Sequence, residues 1–390
     1  MPSTKAIIAR EPRFSALSWA LEPVHVSETP GPDEVLVEMV ASGVCHTDIV
    51  LSAVPDGTFG ISYPKVMGHE GSGYVRKIGA NVHTGLSEGD PVLLSFYSCG
   101  ECEQCAERHP AYCHEFAGEN YIGRRGAVTS ATPEEGEDCR EGKEEIYSRF
   151  FGQSSFSRYS IVDKACVLNA KHLVNNEEEL SLFAPLGCGF QTGMGAIENV
   201  ARPTECDVVV VLGLGSVGLA ALMTAQITPH KATIGIDRIP SRLQLATNLG
   251  ATHVIDTSPD GVILHKAILS LYPNGVSVVI DTTGSPAVIE DGLKALRQRG
   301  KLVLIGVPPM QYELGISAIT HMNAGRSIIG CIEGDCVPKE AVEKLIRWYR
   351  EGKFPIDKLV TYFEAHKFKD ALAGLDDGSV VKAVLTWKDV

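Results

Sequence analysis

Eighteen consecutive uncharged residues, Val208 to Ala225 (V-V-V-V-L-G-L-G-S-V-G-L-A-A-L-M-T-A), do most to limit the folds open to this 390-residue chain. The run is long enough to span a bilayer. Its three glycines, at 213, 215 and 218, follow four valines, and a buried parallel strand, a glycine turn and a buried helix account for that order better than a membrane span. The spacing is G-x-G-x-x-G, placed between a strand and a helix as a dinucleotide site requires. Gly213 permits the tight turn, Gly215 lets the backbone approach a pyrophosphate, and Gly218 lets helix pack on strand. The helix N-terminus then meets the diphosphate charge. Nineteen residues after Gly218, T-I-G-I-D ends a second strand on Asp237. Its carboxylate can accept hydrogen bonds from an adenosine ribose and would repel a 2′-phosphate, so NAD is expected over NADP, with the neighbouring Arg238 softening the preference.

Strands and amphipathic helices alternate around this turn. Candidate strands are Val208–Leu212, Ala232–Ile236, His253–Ile255, Val276–Asp281, Lys301–Gly306 and Ser327–Cys331, with helices such as Ser241–Leu249 and Pro286–Leu296 between them. Such alternation predicts a parallel, doubly wound sheet. Residues 1 to about 95 read instead as short β-runs punctuated by Gly and Pro, and strand character returns at Phe156–Asn169. Residues 117–150, with G-R-R-G, P-E-E-G and R-E-G-K-E-E, read as a polar, turn-rich surface excursion. The tail carries a helix over Lys339–Glu351 and a last strand over Val380–Trp387. The chain is therefore expected to be α/β and to hold two domains.

Fifteen residues, C-G-E-C-E-Q-C-A-E-R-H-P-A-Y-C, hold four of the eleven cysteines: Cys99, Cys102, Cys105 and Cys113. Adjacent C-x-x-C steps make poor disulfides but gather thiolates around one ion, and a fourth cysteine within loop reach closes a tetrahedral shell with Zn–S bonds of about 2.3 Å. A site closed in that way is structural. An odd cysteine total, with no apolar leader in M-P-S-T-K-A-I-I-A-R, fits a reducing compartment, the cytoplasm. The formal charge of −13 argues against a nucleic-acid partner, whose binding surface needs concentrated Lys and Arg.

The cysteine lobe, the glycine fingerprint and the motifs G-V-C-H-T-D, G-H-E and G-C-G-F-Q-T-G together resemble the zinc-containing medium-chain alcohol dehydrogenases. The resemblance covers nearly the whole chain. The lobe, F-F-G-Q-S-S-F-S-R-Y-S-I-V and G-K-F-P-I-D-K-L-V are most similar to the aryl-alcohol (benzyl-alcohol) branch. It implies a GroES-like β-rich catalytic domain over 1–185 with the zinc lobe at 99–113, a Rossmann NAD-binding domain over 186–330, and a return of 331–390 to the first domain. It also implies a catalytic zinc held by Cys45, His69 and Cys188, three ligands with one position open. Thr47 would bond the substrate hydroxyl and start its proton outward, Asp48 would orient the ligating imidazole, and Glu70 would sit behind the metal as an alternative ligand during exchange. His46 and Thr192 would meet the cofactor, at the pyrophosphate and the nicotinamide respectively, and Ile305-Gly306-Val307 would run along the nicotinamide ring.

The implied reaction interconverts a primary alcohol, aromatic or otherwise bulky, and its aldehyde by hydride transfer between a zinc-bound alkoxide and NAD. One departure stands out: many relatives carry a relay histidine five residues after the first cysteine ligand, where this chain has Val50. Its relay must use water, another side chain or the ribose, a pattern that aryl-alcohol relatives share. Alternatives are a glutathione-adduct dehydrogenase, for which no basic anchor is evident, and a tailoring oxidoreductase on a specialised natural product. A non-catalytic nucleotide-binding relative would not need intact Cys45, Thr47, His69, Glu70 and Cys188, and a zinc-free reductase would not need the four-cysteine lobe. By the same resemblance a homodimer through the nucleotide domains is expected, with no membrane partner.

Overall fold

The computed structural model describes residues 3–13, 16–83, 85–131 and 143–388. The chain divides into two compact units: Met1–Cys188 with Val337–Ile346 and Ile356–Val390, and Gly189–Cys336 with Arg347–Pro355. Among the described residues no helix is long and apolar enough to cross a membrane. The uncharged run resolves into the strand Val208–Leu212 and the helix Ser216–Ile227, the strand buried at every position.

The first unit is built on β-structure. Ser3–Arg13, Ala16–Val26, Arg124–Ser130, Glu145–Ser148 and Lys65–Val66 close a barrel. A second sheet runs in the order Val167–Asn169, Pro91–Leu94, Gly71–Ile78, Glu34–Gly43, Lys382–Thr386, Val360–Glu364, and Tyr159–Asp163 also pairs with Glu34–Gly43. The last strand of the chain therefore lies antiparallel to an early one, with Val384 opposite Gly43 and Leu385 opposite Ser42.

The turn-rich reading of 117–150 needs correction. P-E-E-G lies outside the described residues, as does part of R-E-G-K-E-E, but the flanking segments are barrel strands. Arg124–Ser130 pairs with Ala16–Val26 on one side and Glu145–Ser148 on the other while its first three residues are exposed, so outward-facing arginines and a glycine mask the strand pattern.

The second unit holds a six-stranded sheet in the order His253–Asp256, Ala232–Asp237, Val208–Leu212, Val276–Asp281, Leu296–Leu304, Ser327–Gly330. All five pairings are parallel. Numbered by sequence the order is 3-2-1-4-5-6, the arrangement that opens a crevice at the carboxyl ends of the first and fourth strands. Val210, Leu212, Ile234, Val279, Ile289 and Leu302 meet in its core. Residues 331–336 and 347–355, expected in the first domain, pack with this unit. Trp348 lies 6.2 Å from Phe354, which meets Phe190 edge-on at 6.3 Å, so an aromatic cluster draws that segment in.

Lys65, on the short barrel strand, is fully buried, and its Nζ donates to the carbonyls of Tyr121 (2.6 Å) and Ile122 (2.8 Å). Burial pushes its pKa down to about 7. Between pH 7 and 10.5 the unfolded chain then binds a proton that the folded chain does not, so this group makes stability rise with pH across that window and level off below it. Urea unfolding at pH 7 and pH 10 should show a larger pH-dependent gain for the native protein than for Lys65→Met, by a few kcal/mol at most, at about 1.4 kcal/mol per unit of pKa. Equal gains would remove the buried amine from the account.

Candidate active site and metal centres

Two clusters of metal-ligating side chains stand in the first unit. In the first, one thiol sulfur from each of Cys99, Cys102, Cys105 and Cys113 lies within 4.8 Å of the others. Cys99 and Cys105 are 3.9 Å apart at sulfur and Cys102 and Cys113 4.0 Å, far beyond a disulfide bond, and all four are free. Backbone amides of Glu101 and Cys102 donate to the Cys99 sulfur at 3.4 and 3.3 Å, and that of Cys99 to the Cys113 sulfur at 3.3 Å. Amides of His114 and Cys105 pull the Cys102 thiol down to about 6. Burial pushes the Cys105 and Cys113 thiols the other way, up, but four sulfurs in one group with backbone amides aimed at them fit a closed zinc site.

The second cluster is assembled from three distant segments: Cys45, His69, Glu70 and Cys188, all buried, with ligand atoms within 4.8 Å of one another. Cys45 caps the short helix His46–Leu51, which carries the half-buried Thr47 and places Asp48 in its first turn. The buried Asp48 carboxylate ties this cluster together. Its Oδ2 accepts from the Cys45 amide (3.0 Å), and its Oδ1 accepts from the Gly68 amide (3.0 Å) and pairs with His69 Nδ1 at 2.9 Å. One nitrogen of the imidazole is thus engaged, and the buried Nε2 has no hydrogen-bond partner among the described residues. A histidine oriented through Nδ1 with Nε2 left over is the state a metal ligand needs. The Cys188 thiol, hydrogen-bonded to Cys45, holds the Cys45 thiol well below the ordinary cysteine range, against the penalty of burial and helped by His69 and Lys382. Two cysteines, a histidine with a spare lone pair and a carboxylate fit zinc.

Glu70, fully buried, is paired with a residue that sequence reasoning missed. Lys382, from the last strand, donates to both carboxylate oxygens, at 2.9 and 2.8 Å, and to the Val44 carbonyl at 3.2 Å. Burial works against the ammonium, but Glu70 and Cys45 raise Lys382 above the ordinary lysine range. Gln153 was also missed. Its amide nitrogen donates to the carbonyls of His69 and Ser95, both at 2.9 Å, and its oxygen accepts from the Gly71 amide at 3.1 Å. Neither residue carries a periodic or spacing signal, since each acts through a fold contact more than 50 residues away in sequence.

Aromatic rings line the His69 side of the cluster. Phe151 stacks on the imidazole at 4.4 Å, Phe150 meets it edge-on at 5.6 Å, and Phe116 and Tyr121 stand edge-on to Phe151 at 6.0 and 5.7 Å.

In the second unit the glycine turn has the geometry of a diphosphate cradle. Gly213 has φ +85°, a Cβ at Gly218 would lie 1.9 Å from the Gly213 carbonyl oxygen, and a Cβ at Gly215 would meet nothing within 4 Å. The last of these leaves open space at the N-terminus of Ser216–Ile227, where a pyrophosphate fits. Asp237, nearly buried, accepts from the amides of Leu214 (2.7 Å), Arg238 (2.7 Å) and Ile239 (2.9 Å), which fixes its carboxylate beside the turn. Asp281, unremarked in the sequence, ends the neighbouring strand and folds the loop after it, taking bonds from Thr283 and Gly284. Ile305 and Gly306 donate to the Asp281 carbonyl at 2.9 and 3.1 Å, and Val307 is half exposed just beyond. Thr192 is buried on the helix Gly189–Gly195. His46 is exposed at the start of its helix in the first unit.

A dinucleotide fold joined in one chain to a closed four-thiol cluster and to a second cluster of mixed ligands defines the class: a zinc-binding dehydrogenase. Residues 31–132 match the alcohol dehydrogenase GroES-like domain and residues 216–351 the zinc-binding dehydrogenase domain. Geraniol dehydrogenase of Castellaniella defragrans is 34% identical over 369 residues, 94% of each chain. Among solved structures, an alcohol dehydrogenase zinc-binding domain protein from Burkholderia ambifaria superposes with a TM-score of 0.87, and benzyl alcohol dehydrogenase from Acinetobacter calcoaceticus with 0.85. Each is 34% identical and matched over 99% of both chains. The chain belongs to the zinc-containing medium-chain alcohol dehydrogenases, oxidoreductases acting on alcohols.

Proposed function

We propose that the protein oxidises a primary alcohol, aromatic or similarly bulky, to its aldehyde with NAD, and catalyses the reverse. The observation that carries this reading is the convergence of Cys45, His69, Glu70 and Cys188 within 4.8 Å, beside an aromatic lining. Cys45, His69 and Cys188 hold one zinc, and the four-cysteine lobe holds another. Bound there, zinc supplies Lewis acidity toward an alcohol oxygen, and NAD supplies the hydride acceptor. The protein does the rest. Asp48 keeps the imidazole in the tautomer that presents Nε2, and Gln153 pins the backbone on which that ring stands. Thr47 Oγ1 accepts a hydrogen bond from the substrate hydroxyl and passes its own proton on to water or the cofactor ribose, since Val50 cannot carry one. Phe151 and its neighbours exclude water and favour a flat substrate. The Gly213–Gly218 turn receives the diphosphate and Asp237 the ribose diol, with His46, Thr192, Arg238, Ile305 and Val307 completing the cofactor contacts. The first unit is then the catalytic domain and the second the nucleotide domain.

The similarity to a benzyl alcohol dehydrogenase and a geraniol dehydrogenase supports a bulky allylic or benzylic substrate. Absorbance of NADH with benzyl alcohol, cinnamyl alcohol, geraniol and ethanol, each with NAD and with NADP, tests the reading. Turnover with the unsaturated alcohols and NAD should exceed that with ethanol or NADP by at least about tenfold, or about 1.4 kcal/mol of discrimination. Equal rates with ethanol would sink the substrate class, and equal rates with NADP the role of Asp237.

Two further expectations belong to the same reading. Free thiols in clusters support a reducing compartment, the cytoplasm. A homodimer is supported by the exposed apolar side chains Val307, Met310, Ile316, Ile319 and Met322, close in sequence to the strand Ser327–Gly330 that ends the six-stranded sheet. Sedimentation should give twice the 41.9 kDa chain mass, and a tetramer or a monomer would refute it.

A further inference from the structure

Between Cys113 and the barrel strand Arg124–Ser130 the chain makes one turn of π-helix, Gly118–Ile122. Such turns are rare and concentrate where function needs a geometry that an α turn does not supply. The contacts that hold this one lead in two directions. Toward the four-cysteine lobe, the fully buried Asn120 side chain accepts from the Tyr97 amide (2.9 Å) and donates to the carbonyls of Tyr97 (3.0 Å) and Phe116 (2.8 Å). Tyr97 stands two residues before Cys99. Toward the second cluster, Lys65 donates to the carbonyls of Tyr121 and Ile122, the last two residues of the turn, from a position four residues before His69. A second route runs the same way: the Tyr121 ring meets Phe151, and Phe151 stacks on the His69 imidazole.

Lys65 is a costly choice for that position. Among the described residues it forms no ion pair with a carboxylate, and its Nζ stands 5.6 Å and 6.0 Å from the centres of the Tyr147 and Phe150 rings. Burying an amine without a counter-charge costs several kcal/mol. A methionine would fill the same slot without that cost but would take the Lys65 hydrogen bonds away from the Tyr121 and Ile122 carbonyls. The position therefore trades stability for a defined link between the π turn and the segment that carries His69.

We propose that the π turn Gly118–Ile122 is a strut that couples the two metal clusters, with Lys65 as the positioning residue that passes the order of the four-cysteine lobe to His69. The proposal rests on reading both clusters as zinc sites. A loaded lobe fixes Tyr97, hence Asn120 and the turn, hence the backbone and ring that hold His69. An empty lobe loosens the turn, and the second cluster then gives up its metal faster.

The test is zinc release from the holoenzyme to a chromogenic chelator, in the native protein, Lys65→Met, Cys102→Ser and the double variant. With the lobe disabled by Cys102→Ser, release from the Cys45–His69–Cys188 set should accelerate about tenfold, within the usual range of coupling between sites. Lys65→Met should accelerate it to a similar degree with the lobe loaded, and the double variant should add less than about twofold to either single change. Lys65→Arg, which keeps the donors, should restore slow release. Additive effects of the two changes, or native release rates in Lys65→Met, would overturn the proposal. Hydrogen exchange on the unmutated holoenzyme needs no variant to fold. On stepwise chelation, amides of residues 118–122 and 66–71 should lose protection together with those of 99–113, whereas loss confined to 99–113 refutes the coupling. Fewer than two zinc ions per native chain would refute the metal reading itself, a separate result.

Discussion

Replacing Cys45 by Ser should lower the zinc content from about two ions per chain to about one and cut alcohol oxidation by more than about 100-fold, the upper end of what loss of a supporting outer residue costs. Cys45 is one of the two thiols in the second cluster, and Cys188, which hydrogen-bonds it, with His69 and Lys382 close by, holds its thiol well below the ordinary cysteine range. Serine keeps the helix cap, since the Asp48 carboxylate bonds the backbone amide at position 45 and not the sulfur. The fold should therefore survive, and the four-cysteine lobe, which shares no residue with this cluster, should keep its ion. Metal analysis by plasma mass spectrometry, circular dichroism and turnover on one preparation separate these effects. Two retained zinc ions with undiminished turnover would place the chemistry elsewhere.

The second large effect should come from Lys382→Met, which we expect to destabilise the chain by about 3–5 kcal/mol, the usual cost of removing one partner from a buried ion pair. Both Glu70 oxygens face the Lys382 ammonium, and both side chains are buried. The carboxylate has little room to retreat, because even a Cβ at Gly43 would come within 2.0 Å of Glu70 Oε2. Methionine leaves that charge in place and takes away the ammonium that faces it. Changing both residues, Lys382→Met with Glu70→Gln, removes the charge as well and should recover most of the loss. Urea unfolding of the two single variants and the double variant measures this directly. A Lys382→Met chain within about 1 kcal/mol of the native protein, an ordinary single-substitution effect, would mean that Glu70 is already protonated in the folded state.

The parts of the site that are local in the chain were legible before any coordinates. G-L-G-S-V-G between a valine strand and a helix admits one backbone geometry, and the turn has it, down to the positive φ at Gly213. The cysteines of 99–113 are close enough in sequence that any compact loop gathers them, and their sulfurs meet within 4.8 Å. Cys45, His69 and Cys188 came instead from a resemblance, because ligands separated by 24 and 119 residues leave no periodic trace. The strand Arg124–Ser130 reads as a turn-rich excursion in the sequence because its exposed arginines hide the alternation.

Short-range pattern thus determined the parallel sheet, the nucleotide turn and the closed thiol cluster, since backbone sterics and ligand spacing act within about 20 residues. The tertiary structure alone decided what stands behind the second cluster. Only when the last strand lies against Glu34–Gly43 does Lys382 reach Glu70, 312 residues away, and only the folded barrel brings Lys65 under the carbonyls of Tyr121 and Ile122. The physical reason is common to both. A buried charge or amine is tolerable only where the whole fold supplies its partner, and no stretch of sequence contains that partner.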